Sequence, residues 1–206
     1  GRRESVGYID MTLDVLRDFS VSIEETSSGY KIKAPQKYIE PDSPRVQGDW
    51  SNAAFFLCAG ALGGETEITG LSLDSRQSDR ALTDILKAFG ADIKCGSSVS
   101  VCKSELFGIT VDISQCPDLF PTLAVTACAA HGDTVFTNAA RLRIKESDRI
   151  EAVEKMITSL GGFAESTPDS LTVHGTGTLA GGEVNSFNDH RIVMAAAVAA
   201  CICESP

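Results

Sequence analysis

The chain has 206 residues, a length that fits one large domain or two small ones. Hydrophobic residues make up 43% and charged residues 22%, an ordinary balance for a folded soluble domain that excludes a disordered chain. With 18 basic against 28 acidic side chains the formal net charge is -10, which argues against a nucleic-acid surface because that needs a basic field.

The opening GRRESVGYID has basic residues with no apolar stretch behind them, so it does not read as a secretory leader. No later apolar run reaches the roughly 18 residues of a membrane span. The first recognisable pattern is Leu16-Arg-Asp-Phe-Ser20-Val-Ser-Ile, a helix end leading into a strand. Residues 36 to 48 hold two prolines and suggest a crossing between domains near residue 45. Residues 50 to 62 are apolar almost all round, which predicts a helix buried on most sides. Residues 65 to 69 alternate as a half-buried strand. Leu82, Ile85, Leu86 and Phe89 form one apolar face of a helix over 79 to 89, with Gly90 as its C-terminal cap. Residues 92 to 94 and 98 to 102 predict a hairpin turning at Gly96-Ser-Ser.

The pattern then repeats. Asp118-Leu-Phe-Pro-Thr-Leu opens a second apolar run like that after Asp49, and Asn188-Asp189-His190-Arg191 opens a third. Asp49, Asp118 and Asp189 stand 69 and 71 residues apart. Ser78-Asp79-Arg80 and Ser147-Asp148-Arg149 lead into matching amphipathic segments that end at Gly90 and Gly161. A period of about 70 residues is the size of a whole supersecondary unit. Each unit reads as helix, strand, helix and two strands, which predicts an α/β lobe with buried helices and outer sheets. The first and last units are partial, so the chain is expected to be a fragment.

Polar residues open every helix: Asp49, Ser78, Asp118, Ser147, and Asn188 with Asp189. N-capping is the simple reading for Asp49, Ser78 and Ser147. Asp118 is different, because Pro117 and Pro121 already suit a first turn. Helix N-termini gathered at one point would instead favour an anion. Residues 141 to 149 carry four basic groups, Arg141, Arg143, Lys145 and Arg149, which on an acidic chain suggests a small anionic ligand. Arg149 and Arg191 lie just inside two helix starts, and paired arginines suit carboxylate or phosphate. Glu146 stands among cations and between Ile144 and Ile150, where opposing influences on its ionisation would suit proton transfer. Spacing alone leaves a catalytic and a structural Glu146 equally open. His190 beside Asp189 and Arg191 has the position of a proton shuttle, although a lone histidine at a helix start is more often structural. The three histidines and seven cysteines have no metal-ligand spacing, and the odd cysteine count, without Cys-x-x-Cys, is expected to be reduced thiols in a cytoplasmic protein.

Arg143-Ile-Lys145-Glu146-Ser-Asp148-Arg149, Asn188-Asp189-His190-Arg191, Gly48-Asp49-Trp-Ser-Asn-Ala-Ala and Ser5-Val-Gly-Tyr8 together resemble the EPSP synthase (3-phosphoshikimate 1-carboxyvinyltransferase) family, from about Ser5 to the last residue. The resemblance implies an EPSP synthase-like lobe of βαβαββ units, with residues 1–45 ending the neighbouring lobe and residues 46–206 forming most of the second. It implies transfer of the enolpyruvyl group of phosphoenolpyruvate to the 5-hydroxyl of shikimate 3-phosphate, with no cofactor and no metal. By the same resemblance Ser5, Tyr8, Asp118 and Lys145 would bind shikimate 3-phosphate, and Arg149 and Arg191 would bind phosphoenolpyruvate. Asp118 and Glu146 would handle protons, supported by His190. Arg141 stands where some members carry an asparagine contact, so it is left out of the binding set. The partners would be these two metabolites, with neither nucleic acid nor membrane, and the full-length family member would be monomeric. The 206-residue piece alone is expected to be inactive. Two other readings are a UDP-N-acetylglucosamine enolpyruvyl transferase and a non-catalytic anion-binding α/β module.

Overall fold

The structure is a computed structural model and describes residues 5–206; the opening basic residues Arg2 and Arg3 lie outside the described residues. Helix α1 (Val6–Asp18) leads into an antiparallel hairpin, β1 (Ile23–Thr26) and β2 (Gly29–Ile32). A stretch without regular elements, holding the two prolines that marked the expected crossing, then runs to α2 (Trp50–Gly63).

Two repeat units follow. The first is α2, β3 (Glu65–Thr69), α3 (Leu82–Phe89), β4 (Asp92–Cys95) and β5 (Ser98–Cys102). The second is β6 (Thr110–Asp112), α4 (Phe120–Cys128), β7 (Gly132–Thr137), α5 (Arg149–Ser159), β8 (Phe163–Thr167) and β9 (Ser170–Gly175). A third begins with α6 (His190–Ala199). The sheet orders are β3-β5-β4 and β6-β7-β9-β8, antiparallel throughout except for the parallel pair β6 and β7. Isolated parallel bridges join Phe107 to His131 and Leu179 to Cys203. Both bridge positions advance by 72 residues from one unit to the next, so the repeat extends to the register of strand contacts.

The apolar character of α2 and α4 dictates their place. All nine residues of α4 are buried, as are ten of the fourteen in α2, and α2, α4 and α6 contact one another in the centre. Helices α3 and α5 are amphipathic and turn Leu82, Leu86 and Phe89, or Ile150, Val153 and Ile157, inward. The alternation of β5 and β9 sends Val99, Val101, Leu171 and Val173 into the same core. Buried helices with sheets outside are thus the arrangement the sequence predicts.

Local corrections bear on the site. The helix expected over 79 to 89 is divided: Ser78–Ala81 is a 3₁₀ turn, and α3 starts at Leu82. Ser78 caps nothing, because it lies inside that turn. Ser147 is not a cap either; Asp148 takes the cap position and accepts from the Glu151 N–H, while Ser147 donates to Asp189 3.1 Å away. Asp49 does cap α2, accepting from Ser51 N–H at 2.8 Å. Gly90 caps α3 with φ 99°, as expected for a left-handed residue. Ile144 does not enclose Glu146, being 82% exposed, although Ile150 is buried.

Candidate active site at converging helix starts

Three helix starts meet at one arginine. Arg149 is the first residue of α5, and its side chain is only 1% exposed. Its Nε donates to Asp189 Oδ2 at 2.8 Å, Nη1 donates to Asp118 Oδ1 at 2.7 Å, and Nη2 donates to Glu146 Oε2 at 2.6 Å. Asp189 caps α6 and is itself buried, while Asp118 sits in the 3₁₀ turn Pro117–Leu119 that starts α4. The planar guanidinium therefore ties α4, α5 and α6 together through their first turns.

Two more cations face the same aspartate. Lys145 Nζ lies 3.5 Å from Asp118 Oδ1. Arg191 Nη2 is 3.5 Å from Asp118 Oδ2, and its Nη1 donates to the Asp118 carbonyl at 3.3 Å. Burial acts to raise the Asp118 pKa, but Arg191, Lys145 and Arg149 outweigh it and hold the carboxyl below the usual range. Burial likewise opposes ionisation of Asp189, and Arg149, the Arg191 backbone N–H and Ser147 override it. Asp118, Lys145, Glu146, Arg149 and Arg191 thus form one connected cluster. Glu146 keeps half of its side chain exposed, and His190 is exposed at the first position of α6.

Ser5 and Tyr8 approach from α1. The Ser5 hydroxyl accepts from Arg141 Nη1 at 2.9 Å, and the Tyr8 hydroxyl donates to Asp79 Oδ2 at 3.0 Å. Close packing makes the second contact: a Cβ on Gly7 would stand 2.4 Å from the Arg76 carbonyl oxygen and 2.5 Å from Ser78 Oγ. The segment before Asp79 is fixed by Gln77, whose side chain accepts from Trp50 N–H at 2.8 Å and donates to the Gly48 carbonyl at 2.8 Å. Asp79, Asp118 and Arg191 are near enough to act on the ionisation of Tyr8, and Asp118 and Arg191 on that of Asp79.

Asp79 and Asp189 are the polar residues whose roles sequence reading missed. Asp79 lay within the Ser-Asp-Arg repeat, but its counterpart Asp148 is a helix cap, so the repeat pointed away from its contact with Tyr8. Asp189, which the sequence shows only as a polar helix opener, both caps α6 and serves as counter-ion to Arg149, and the second function needed the fold. Conversely, Arg143 belongs to the scaffold. It donates to the Thr167 and Pro168 carbonyls and pairs with Asp148 at 2.8 Å, tying the approach to α5 to the β8–β9 hairpin.

The EPSP synthase (3-phosphoshikimate 1-carboxyvinyltransferase) family matches residues 3–206. This chain belongs to that family. It is 46% identical to the 3-phosphoshikimate 1-carboxyvinyltransferase of Clostridium novyi (strain NT), over 98% of this chain and 47% of that protein. The enzyme of the same name from Clostridium acetobutylicum is also 46% identical, over 98% of this chain and 47% of its own length. The chain therefore spans about half the length of the curated relatives it matches. An EPSP synthase structure from Acinetobacter baumannii superposes with TM-score 0.81 at 27% identity, covering 94% of this chain and 48% of that one. The enolpyruvyl transferase NikO from Streptomyces tendae shares the fold, with TM-score 0.74 at 19% identity. No helix among the described residues is long and apolar enough to cross a membrane.

Proposed function

We propose that this member of the EPSP synthase family contributes one side of an active site that transfers the enolpyruvyl group of phosphoenolpyruvate to the 5-hydroxyl of shikimate 3-phosphate and releases phosphate. The observation that carries the reading is the bonded cluster of Asp118, Lys145, Glu146, Arg149 and Arg191 at three helix starts. Residues 1–45 are read as the end of the neighbouring lobe and 46–206 as most of the second, so Ser5 and Tyr8 on α1 would border the cleft. The cytoplasm fits seven free thiols, of which buried Cys116 and Cys128 have pKa values pushed up to about 12 by desolvation. A monomer acting on these two metabolites completes the proposal.

The reaction needs fixed cations and movable protons. The acceptor hydroxyl loses its proton as its oxygen bonds to C2 of phosphoenolpyruvate, and C3 gains a proton to become a methyl group. Elimination returns that proton and breaks the C2–O bond, expelling phosphate. Lys145, Arg149 and Arg191 balance the anionic charge at both stages and hold the reactants in position. The same cations keep Asp118 ionised and make it a weak base. Phosphate or carboxylate groups arriving on Lys145 and Arg191 would draw those cations away from Asp118 and restore its basicity next to the acceptor hydroxyl. Arg149 has no free face. A substrate carboxylate would take over the Nη2 hydrogen bond now made to Glu146, releasing Glu146 to serve C3 while Asp189 keeps its hold on Nε.

The test is phosphate release by the full-length gene product supplied with both metabolites. Glu146→Gln should lower kcat by about 10²–10⁴-fold with little change in KM, the size of a lost general acid–base group. Replacing shikimate 3-phosphate with UDP-N-acetylglucosamine should abolish turnover. Wild-type kcat in Glu146→Gln, or turnover with the nucleotide sugar alone, would reject the assignment.

A further inference from the structure

Asp79 is the buried acid that this mechanism does not use. The residue has no exposed surface, its Oδ2 accepts from the Tyr8 hydroxyl at 3.0 Å, and neither its Oδ1 nor the nearby Ser51 hydroxyl has a partner at ordinary hydrogen-bond geometry among the described residues. A buried carboxylate leaves an unsatisfied charged oxygen at high cost, whereas a neutral acid also brings a donor of its own. Tyrosine has a single O–H. When Tyr8 donates to an ionised Asp79, it can offer a phosphate only lone pairs.

We propose that Asp79 is a positioning residue which, as a neutral acid, donates to the Tyr8 oxygen and so turns the Tyr8 O–H toward the phosphate of the acceptor substrate. The inference rests on the proposed contact between Tyr8 and shikimate 3-phosphate. The charged and titratable groups facing Asp79 are Tyr8 on α1, Asp118 and Cys116 at the start of α4, and Arg191 on α6; α2 faces it with the neutral Ser51. The charged residues of α3, Asp84 and Lys87, are exposed. Burial pushes the Asp79 carboxyl up from the ordinary carboxylate range and Asp118 adds to this; the Tyr8 and Ser51 hydroxyls and Arg191 offset it only in part. Burial also drives the Tyr8 hydroxyl well above the usual tyrosine range, so the phenol keeps its proton.

The experiment is calorimetric titration of shikimate 3-phosphate into the full-length gene product and its Asp79→Asn variant between about pH 5 and 9. The asparagine amide donates to Tyr8 at every pH, and titration of the ligand's own phosphate is common to both proteins. The wild-type Kd, divided by that of the variant, should rise at least tenfold across the range as Asp79 ionises. In a Tyr8→Phe background the same ratio should stay flat, which a merely structural Asp79 would not produce. A constant ratio with tight binding by both proteins overturns this inference and leaves the proposed reaction standing. No binding by either protein overturns the site reading, and this inference with it. Infrared spectra of the wild type supply a readout that does not depend on the variant's folding. The carbonyl stretch of a neutral carboxylic acid should be present at the acid end of this pH range and shift when shikimate 3-phosphate binds, and its absence there overturns the proposal.

Discussion

Arg149 and Asp189 illustrate how a buried charge is retained. Removing both ions from water costs several kcal/mol per ion, and only near-ideal geometry with every donor occupied offsets that cost. Arg149 comes close to the condition, because Nε, Nη1 and Nη2 each donate to a carboxylate within 2.8 Å. Removing one partner should therefore cost more than the pair contributes in net stability. Asp189→Asn is expected to lower unfolding free energy by about 3 kcal/mol at pH 7. The pH dependence has a definite sign. The folded Asp189 and Asp118 titrate below the unfolded value of about 3.9, so their stabilisation is complete above that pH and is lost as pH falls through the folded values. Denaturant melts from pH 7 to 2 should show a shallower acid loss in Asp189→Asn than in the wild type; parallel curves would contradict the pairing. At this scale the sequence was informative where residue type restricts chemistry, as with Lys145, Arg149 and Arg191 beside Asp118. It was silent where the partner lies far along the chain. Tyr8 and Asp79 are 71 residues apart, and no local pattern announces their contact.

Elements were legible wherever a period ran long enough. The uniformly apolar α2 and α4 and the one-sided α3 could be placed from hydrophobic pattern alone, and the hairpin of β4 and β5 from alternation and Gly96. The leading strand of the second unit, β6, escaped because three residues with only Val111 buried carry almost no periodic signal. The 3₁₀ turns before α3 and α4 escaped as well, since their composition matches a helical first turn and the tighter winding comes from docking against α1 and α2. That docking leads to a prediction for α1. A Cβ at Gly7 meets the fixed Arg76 carbonyl, which cannot rotate aside. Gly7→Ala should cost about 1–3 kcal/mol through overpacking. It should raise hydrogen exchange along α1 while the β6-β7-β9-β8 sheet keeps its protection. Unchanged exchange in α1 would contradict the close packing.

Across the whole molecule, the repeat accounts for the site. Units offset by about 70 residues bury their first helices side by side, so the starts of α4 and α6, joined by that of α5, come together at one end of the core. Orphan N–H groups and positive dipole ends are then concentrated at one place, and acidic caps and basic side chains from successive units meet there. An acidic chain can in this way gather three cations, Lys145, Arg149 and Arg191, around its own carboxylates at one place. Anionic substrates are expected to take over the internal ion pairs of this cluster. A crystal structure of the full-length gene product with shikimate 3-phosphate and phosphoenolpyruvate tests it most directly. Substrate oxygens should lie within hydrogen-bonding distance of Lys145, Arg149 and Arg191, with Glu146 released from Arg149 and the Asp189 contact kept. Ligands bound elsewhere, with Arg149 still holding Asp118, Glu146 and Asp189, would contradict it.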